Sequence, residues 1–257
     1  MATAGRLQWD QVGERIYETG DKNVALYVYN DTETTFSDTD GTDTVSIKTH
    51  YSEGVAWNGI TAMTETPSGA EATDLWADDT KYATMRSAEQ FGGTIEAYTY
   101  PEEWEACDGS ITVNGVTLGQ QKRKQFALAY VTTVGNDTDL NDFGEKIHLV
   151  YAATASPSER SYATINDSPE AITFSWEYET SPVDCKVGGT EYKKVSCLTL
   201  SERKICYNDD GTADTEGRAK WNAFKDIIFG KDGTGSPATG GIVPHLPMPA
   251  DVVSFFS

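Results

Sequence analysis

No apolar run in this chain approaches the ~20 residues that a membrane-spanning helix needs, and none follows Met1–Arg6 in the manner of an export signal. Basic residues are scarce: twenty Lys and Arg stand against forty Asp and Glu, leaving a formal charge of −20. That excludes a nucleic-acid binder whose affinity comes from counterion release and argues against adhesion to an anionic membrane. Cysteine is sparse as well. Cys107, Cys185, Cys197 and Cys206 form no C-x-x-C pair and suit no common zinc module. The last three cluster, so a disulfide is geometrically open, but without an export signal the expectation is four free thiols. What the chain does have is length and core-formers. Its 257 residues are ample to bury a core, and at 38% hydrophobic and 11% aromatic it is too rich in core residues to be disordered. It reads as a soluble, acidic, globular protein.

The dominant pattern is period-two alternation in short runs between turn residues, the mark of antiparallel sheet with one face on a core. In Ala171–Glu179, Ile172, Phe174, Trp176 and Tyr178 point one way and Thr173, Ser175, Glu177 and Glu179 the other. Gln125–Val134 does the same with Phe126, Leu128 and Tyr130, and Glu145–Ala155 with Ile147, Leu149 and Tyr151. Thr94–Tyr100, Val24–Tyr29 and Val55–Met63 are further strands. Gly135–Thr138 and Asn114-Gly115 are hairpin signals, and Ala77-Asp-Asp-Thr80 reads as a tight hairpin with an acidic tip. One long helix is expected over Glu216–Phe229, with Asp214 or Thr215 as cap, Trp221, Phe224 and Ile228 on one stripe, and Gly230 beyond its end. Pro101–Ala106 suggests a short helical turn. The expected fold class is mainly β (α+β), an antiparallel β-sandwich or barrel with one flanking α-helix. One domain spans residues 1–230, followed by a linker and a C-terminal docking tail over 231–257. Asn30–Ser52, acidic and poor in core residues, is expected as a long loop or solvent-washed hairpin. The tail, with apolar Val252, Val253, Phe255 and Phe256, docks onto its own domain or onto a neighbour.

The search for chemistry returns little. Nucleophilic catalysis needs a base beside the nucleophile and an orienting third group, yet there are only His50, His148 and His245, and no G-x-S-x-G elbow. His148 falls within an alternating strand, where a hydrogen-bonded structural histidine is the better reading. Gly233–Ala238 mimics part of a dinucleotide fingerprint but follows a helix and carries a proline, so it is linker. The acidic loop Asn136–Glu145 fails the EF-hand pattern, because Asp142 stands where glycine is required and His148 where the bidentate acid is required. Paired carboxylates such as Glu102/Glu103, Asp78/Asp79 and Asp209/Asp210 are expected by chance in a chain this acidic. Lys122-Arg123-Lys124 is the one basic run, suited to pairing with acids at a subunit contact or to simple exposure. No enzyme, cofactor or metal site is expected.

Several stretches resemble the major tail tube proteins of long, non-contractile-tailed bacteriophages. They are Gly54-Val-Ala-Trp-Asn-Gly-Ile60, Thr66-Pro-Ser-Gly-Ala-Glu-Ala72 with Leu75-Trp-Ala-Asp78, and Phe91-Gly-Gly-Thr-Ile-Glu-Ala-Tyr-Thr-Tyr-Pro-Glu-Glu-Trp104. Cys107-Asp-Gly109, Gly119-Gln-Gln121, His148–Ser158 and Tyr162–Ala171 follow in order. The likeness covers most of residues 5–30 and 54–183, with a weaker echo in the late helix and the Pro-Met-Pro end. Asn30–Ser52 and Cys185–Ala213 depart from the pattern. The resemblance implies a noncatalytic virion protein, assembled in the bacterial host cytoplasm. Six copies close into a ring, and rings stack into a tube through which DNA passes. It also implies tape-measure, tail-terminator and distal tail proteins as partners, and no membrane binding.

The physics of such an assembly suits the composition. A closing heterologous contact makes a ring, and a second, non-closing one makes a filament; unpaired strand edges continue a sheet into the neighbour. Six copies carry roughly −120 per ring, and acids within a Debye length of about 8 Å of DNA would keep its phosphates off the wall. Glu71, Asp74, Asp78 and Asp79 are the lumen-lining candidates. Asp31, Asp38, Asp40, Asp43, Lys122, Arg123, Lys124, Phe255 and Phe256 are the inter-subunit or inter-ring candidates. Two other readings compete: the inner tube of a contractile injection or secretion device, and a carbohydrate-binding β-sandwich using Trp57, Trp76, Trp104 and Trp176 as sugar platforms. A glycosidase lacks any cleft signature.

Overall fold

The structure, a computed structural model, describes residues 9–41, 43–158, 160, 162, 164, 171–208, 211–234 and 239–257. The Met1–Arg6 segment, the Asp209/Asp210 pair and most of the 162–171 block lie outside these residues. Within them the strands are β1 (Tyr17–Thr39), β2 (Thr44–Tyr51), β3 (Val55–Ala56), β4 (Ile60–Glu65), β5 (Ser68–Gly69) and β6 (Ala72–Ala77). Next come β7 (Thr80–Arg86), β8 (Glu89–Gln90), β9 (Gly92–Ala97), β10 (Ile111–Val113) and β11 (Val116–Leu118). The series ends with β12 (Phe126–Asn136), β13 (Leu140–Ala155), β14 (Phe174–Thr180), β15 (Val183–Val187), β16 (Thr190–Val195) and β17 (Cys197–Ser201). The helices are α1 (Glu105–Asp108), entered through a 3-10 turn at Glu102–Trp104, α2 (Glu202–Cys206), α3 (Thr215–Phe229) and α4 (Pro249–Phe255). The fold is mainly β with flanking helices, as the alternation implies.

Nine strands form one antiparallel sheet in the order β2-β1-β12-β13-β14-β9-β4, with β3 on β1 and β17 on β13. The sheet curls until β4 comes back against β1 without joining it by ladder bonds. Strand β13 makes this possible by serving two partners along one edge. Lys146–Val150 pairs with β17, and Ala153–Ala155 pairs with β14. The switch falls at Ala152, which takes a left-handed φ of 48°, a conformation that costs a non-glycine residue about 1–2 kcal/mol. The Ala152 amide donates to the Tyr51 hydroxyl at 3.0 Å, which holds the bend.

The central strands are buried on both faces. Within β12, Phe126, Leu128 and Tyr130 face one core, with Trp57, Trp104 and Trp176, while Ala127, Ala129 and Val131 face another. The first core is aromatic: the Trp57, Trp104 and Trp176 ring centroids lie 4.6–5.6 Å apart, spacings that favour edge-to-face packing. The second core sets small sheet residues (Ala25, Ala127, Ala129) against the large α3 stripe of Trp221, Phe224, Ile227 and Ile228. Helix α3 begins where Asp214 accepts the Glu216 amide at 3.0 Å and ends at Gly230, φ 81°. Its Gly217 is required by packing: a Cβ there would stand 1.9 Å from the Ile205 carbonyl of α2. Glu145 ties the layers together, accepting from Lys22 of β1 at 2.9 Å and Lys225 of α3 at 2.7 Å.

The acidic stretch 30–52 is the hairpin of the two expected forms, and not a loop. It continues β1 and turns back through β2, in register from Thr34↔Thr49 to Thr39↔Thr44. It is fixed against the body because Ile47 and Thr49 are buried, Gly41 abuts Ala219 of α3, and the Lys48 amide donates to Asp251 of α4. The segment Cys185–Ala213 also carries regular structure, the β15–β16 hairpin, β17 and α2. The tail docks in cis. Leu246, Val252 and Phe255 are buried in the α3 core, the His245 amide donates to Ile227 and the Gly54 amide to Pro244, and the Tyr151 hydroxyl donates to Pro247. All four cysteines are free thiols.

Cutting the chain after Gly241 therefore strips six buried side chains, among them the apolar Leu246, Val252 and Phe255, each of these three worth ~1.5–3 kcal/mol, against a typical total stability of roughly 5–15 kcal/mol. The expected result is a shortened chain with no cooperative urea transition. A transition at the midpoint of the full chain would contradict the docking role of the tail.

Candidate functional site

Among the described residues the densest polar cluster lies where β1, β4, β12 and β13 meet. His148 of β13 stacks on Tyr130 of β12, centroids 4.8 Å apart and planes 8° from parallel. Its Nε2 lies 2.9 Å from Thr132 Oγ1 and 3.3 Å from Glu18, and its Nδ1 lies 3.4 Å from Thr199 Oγ1 and 3.8 Å from Glu65. A hydroxyl beside an imidazole beside carboxylates has the composition of a catalytic triad, but not the bonding. The Thr132 hydroxyl donates to Glu18, which is also paired with Lys146, so its proton is already held by a carboxylate. Tyr130 donates to Glu65 at 2.5 Å. Burial raises Glu18, but Lys146 and Thr132 overcome this and hold its carboxyl below the ordinary 4.5. Burial holds His148 below the ordinary imidazole value of 6.5 despite the attraction of Glu65 and Glu18. The cluster ties five strands together, β1, β4, β12, β13 and β17, with a neutral histidine at its centre.

A cavity of about 640 Å³ runs between residues 21–25, residues 54–60 and the C-terminal end of α3. Three of its four charged groups are engaged elsewhere, Lys22 and Lys225 sharing Glu145 and Asp226 pairing with Lys231, which leaves Asp21 as the fourth. Elsewhere, Asn136 and Asp137 spend their side chains on the β12–β13 turn and on Gly13. Among the described residues no group of three His, Cys, Asp or Glu side chains could hold a metal ion.

The unusual surface belongs instead to two projecting hairpins. Strands β4 to β9 form one long antiparallel ribbon, paired at its base (β4–β9), middle (β5–β8) and end (β6–β7). Beyond Glu65 almost every residue is exposed until Phe91. Trp76 is 68% and Tyr82 77% exposed, with Leu75 and Met85 also exposed. The turn places Asp78 and Asp79 at φ 49° and 60°, the left-handed pair that a two-residue hairpin turn demands. The second hairpin, β10–β11, turns at Asn114-Gly115, φ 52° and 79°. Its polar face, Thr112 and Thr117, bonds to itself and to Glu105 of its own chain. Its apolar face, Ile111, Val113, Val116 and Leu118, is 48–60% exposed.

The residues singled out from sequence separate into two groups. Glu71, Asp78 and Asp79 stand exposed on the ribbon, while Asp74 pairs in cis with Lys81 at 2.8 Å and accepts from Thr84. Lys122 and Lys124 are exposed, whereas Arg123 donates to the Asp108 carbonyl. Asp31 is exposed, and Asp40 and Asp43 close the β1–β2 turn on each other. Asp38 and Phe255 are turned inward: Asp38 lies 3.0 Å from the buried His245 ring, and Phe255 packs on Phe224 together with the half-buried Phe256. Neither Asp38 nor Phe255 is available to a neighbour in this fold. Of the four sugar-platform tryptophans, Trp57, Trp104 and Trp176 are buried, and Trp76 alone is open. Sequence reasoning passed over Tyr82, Met85 and the β10–β11 face. Ile111, Val113, Val116 and Leu118 alternate like any core strand, so no local signal marks them as outward-facing.

Because the folded His148 stays neutral below the value at which the unfolded residue takes a proton, stability is present above pH ~6.5 and falls as acid is added below it. We expect His148→Gln to flatten the pH dependence of the urea midpoint between neutral pH and the carboxylate range. An unchanged slope would contradict a neutral, desolvated His148. No protein-family model matches the chain, and no curated protein matches it.

Proposed function

We propose that this chain is a noncatalytic structural subunit that polymerises with copies of itself, as stacked hexameric rings, into the tail tube of a bacteriophage. The observation that carries the reading is the ribbon between Glu65 and Phe91, exposed on both faces and paired only with itself. A two-stranded ribbon is marginal in water on its own. Unpaired strand edges are a liability that monomeric proteins blunt or cover, and exposed Leu75, Trp76, Tyr82 and Met85 add apolar surface to those edges. In an assembly the same features become the joint: main chain pairs with main chain, and the apolar side chains leave water.

The sequence blocks that resemble tail tube proteins supply the ring number, the partners and the passage of DNA. The charge of −20 per chain accords with a conduit to which phosphates do not adhere. Its apolar flanks suit the ribbon to contact with protein. The carbohydrate-binding reading loses three of its four platforms to the core.

Negative-stain microscopy and light scattering of the purified chain over rising concentration test the proposal. Rings or tubes are expected. A chain in which residues 70–87 are replaced by an Asn-Gly turn is expected to keep its urea midpoint and remain a monomer. Full-length protein that stays monomeric at every concentration, or a ribbonless variant that still forms tubes, would overturn it.

A further inference from the structure

We infer that the apolar face of the β10–β11 hairpin, flanked by Lys122 and Lys124, is the seat for the acidic-tipped ribbon of a second copy. The inference rests on the self-assembly reading and names the surface that the ribbon meets.

The hairpin is built inside out. In an antiparallel pair with one face on the body, apolar residues face in and polar residues face out. Here Thr112 and Thr117 are turned to Glu105, and the register Ile111↔Leu118, Val113↔Val116 stacks four aliphatic side chains on the outward face. Nothing among the described residues covers them. The ribbon offers a matching surface: the register Thr73↔Met85, Leu75↔Ala83 sets Leu75 and Met85 on one exposed face.

Charge selects the ribbon from other apolar partners. Most cations of this acidic chain are engaged in ion pairs, among them Lys22, Lys48, Lys81, Lys146, Arg218 and Lys225. Among the described residues Lys122 and Lys124 form none, although they line the same groove of about 620 Å³ as Glu102, Glu103, Glu105 and Ile111. Asp78 and Asp79 at the ribbon tip likewise have no cation among the described residues, and the nearby Lys81 is taken by Asp74. Leu75 lies three residues before Asp78, about 10 Å along an extended strand, so one ribbon reaches apolar face and lysines together. The contact is heterologous, tip to seat, and is the kind that propagates.

Two charge-reversed chains test this: Lys122→Glu/Lys124→Glu and Asp78→Lys/Asp79→Lys. All four positions are exposed, and Asp78→Asn/Asp79→Asn, which preserves a left-handed turn, controls for backbone strain. Each reversal is expected to raise the protein concentration needed for polymer by about tenfold or more, since it sets like charges against each other across the contact. An equimolar mixture of the two should recover assembly. Zero-length carbodiimide coupling of the unaltered protein should join Lys122 or Lys124 of one copy to Asp78 or Asp79 of another. Polymer indifferent to both reversals would overturn the pairing and leave self-assembly standing. Lysine-to-aspartate cross-links in a chain that forms only dimers would keep the pairing and overturn the tube. Rescue of the lysine reversal by Glu102→Lys/Glu103→Lys in its place would show two seats meeting face to face, and would also overturn the assignment.

Discussion

Burial on both faces of β12, of Val24–Tyr27 in β1 and of Leu149–Ala153 in β13 is the constraint on which the rest of the molecule depends. A sheet with one face on a core can keep the other in water; this one cannot, because Phe126, Leu128 and Tyr130 need the tryptophan core while Ala127, Ala129 and Val131 need α3. Closing one face requires the sheet to curl toward a barrel plugged by Trp104. Closing the other requires α3, the folded-back β1–β2 hairpin and the C-terminal tail. With both faces committed internally, the buried centre of the sheet has little surface to offer a partner. Contact with other molecules falls to what projects from it, chiefly the β4–β9 ribbon and the β10–β11 hairpin.

The same division explains where the charges sit. Carboxylates near the body work in cis: Glu145 joins sheet to helix, Glu18 secures Lys146 and Thr132, and Asp38 sits on His245. Those at the ribbon tip, Asp78 and Asp79, pair with no cation among the described residues. An unpaired exposed charge is ordinary on a monomer, but paired with apolar neighbours such as Trp76 and Tyr82 it takes the composition of a contact surface.

Much of the fold was legible in the sequence, for identifiable reasons. Turns that need left-handed residues announce themselves, as at Asn114-Gly115 and Asp78-Asp79, and α3 carries its own cap, stripe and terminating glycine. The alternation placed Phe126, Ile147 and Trp176 correctly. What it missed is nonlocal. Stretch 30–52 looks solvent-washed because its anchors, Ala219 and Asp251, lie about two hundred residues away in the chain. Helix α4 was hidden in a proline-rich tail. The outward face of Ile111 and Val116 could not be told from a core face, because alternation reports that a strand has two faces and not which one water sees. The candidate contact surfaces were therefore only half visible: their charges could be read from sequence, their apolar residues only from the fold.

Amide hydrogen exchange on the dilute and the assembled chain measures the central claim most directly, since it reads the strand edges themselves. The account predicts rapid exchange over residues 66–91 in the dilute chain, slow exchange throughout β12 and β13, and marked slowing of the ribbon on assembly. Ribbon amides already protected in the dilute chain, or equally exposed in the polymer, would contradict it.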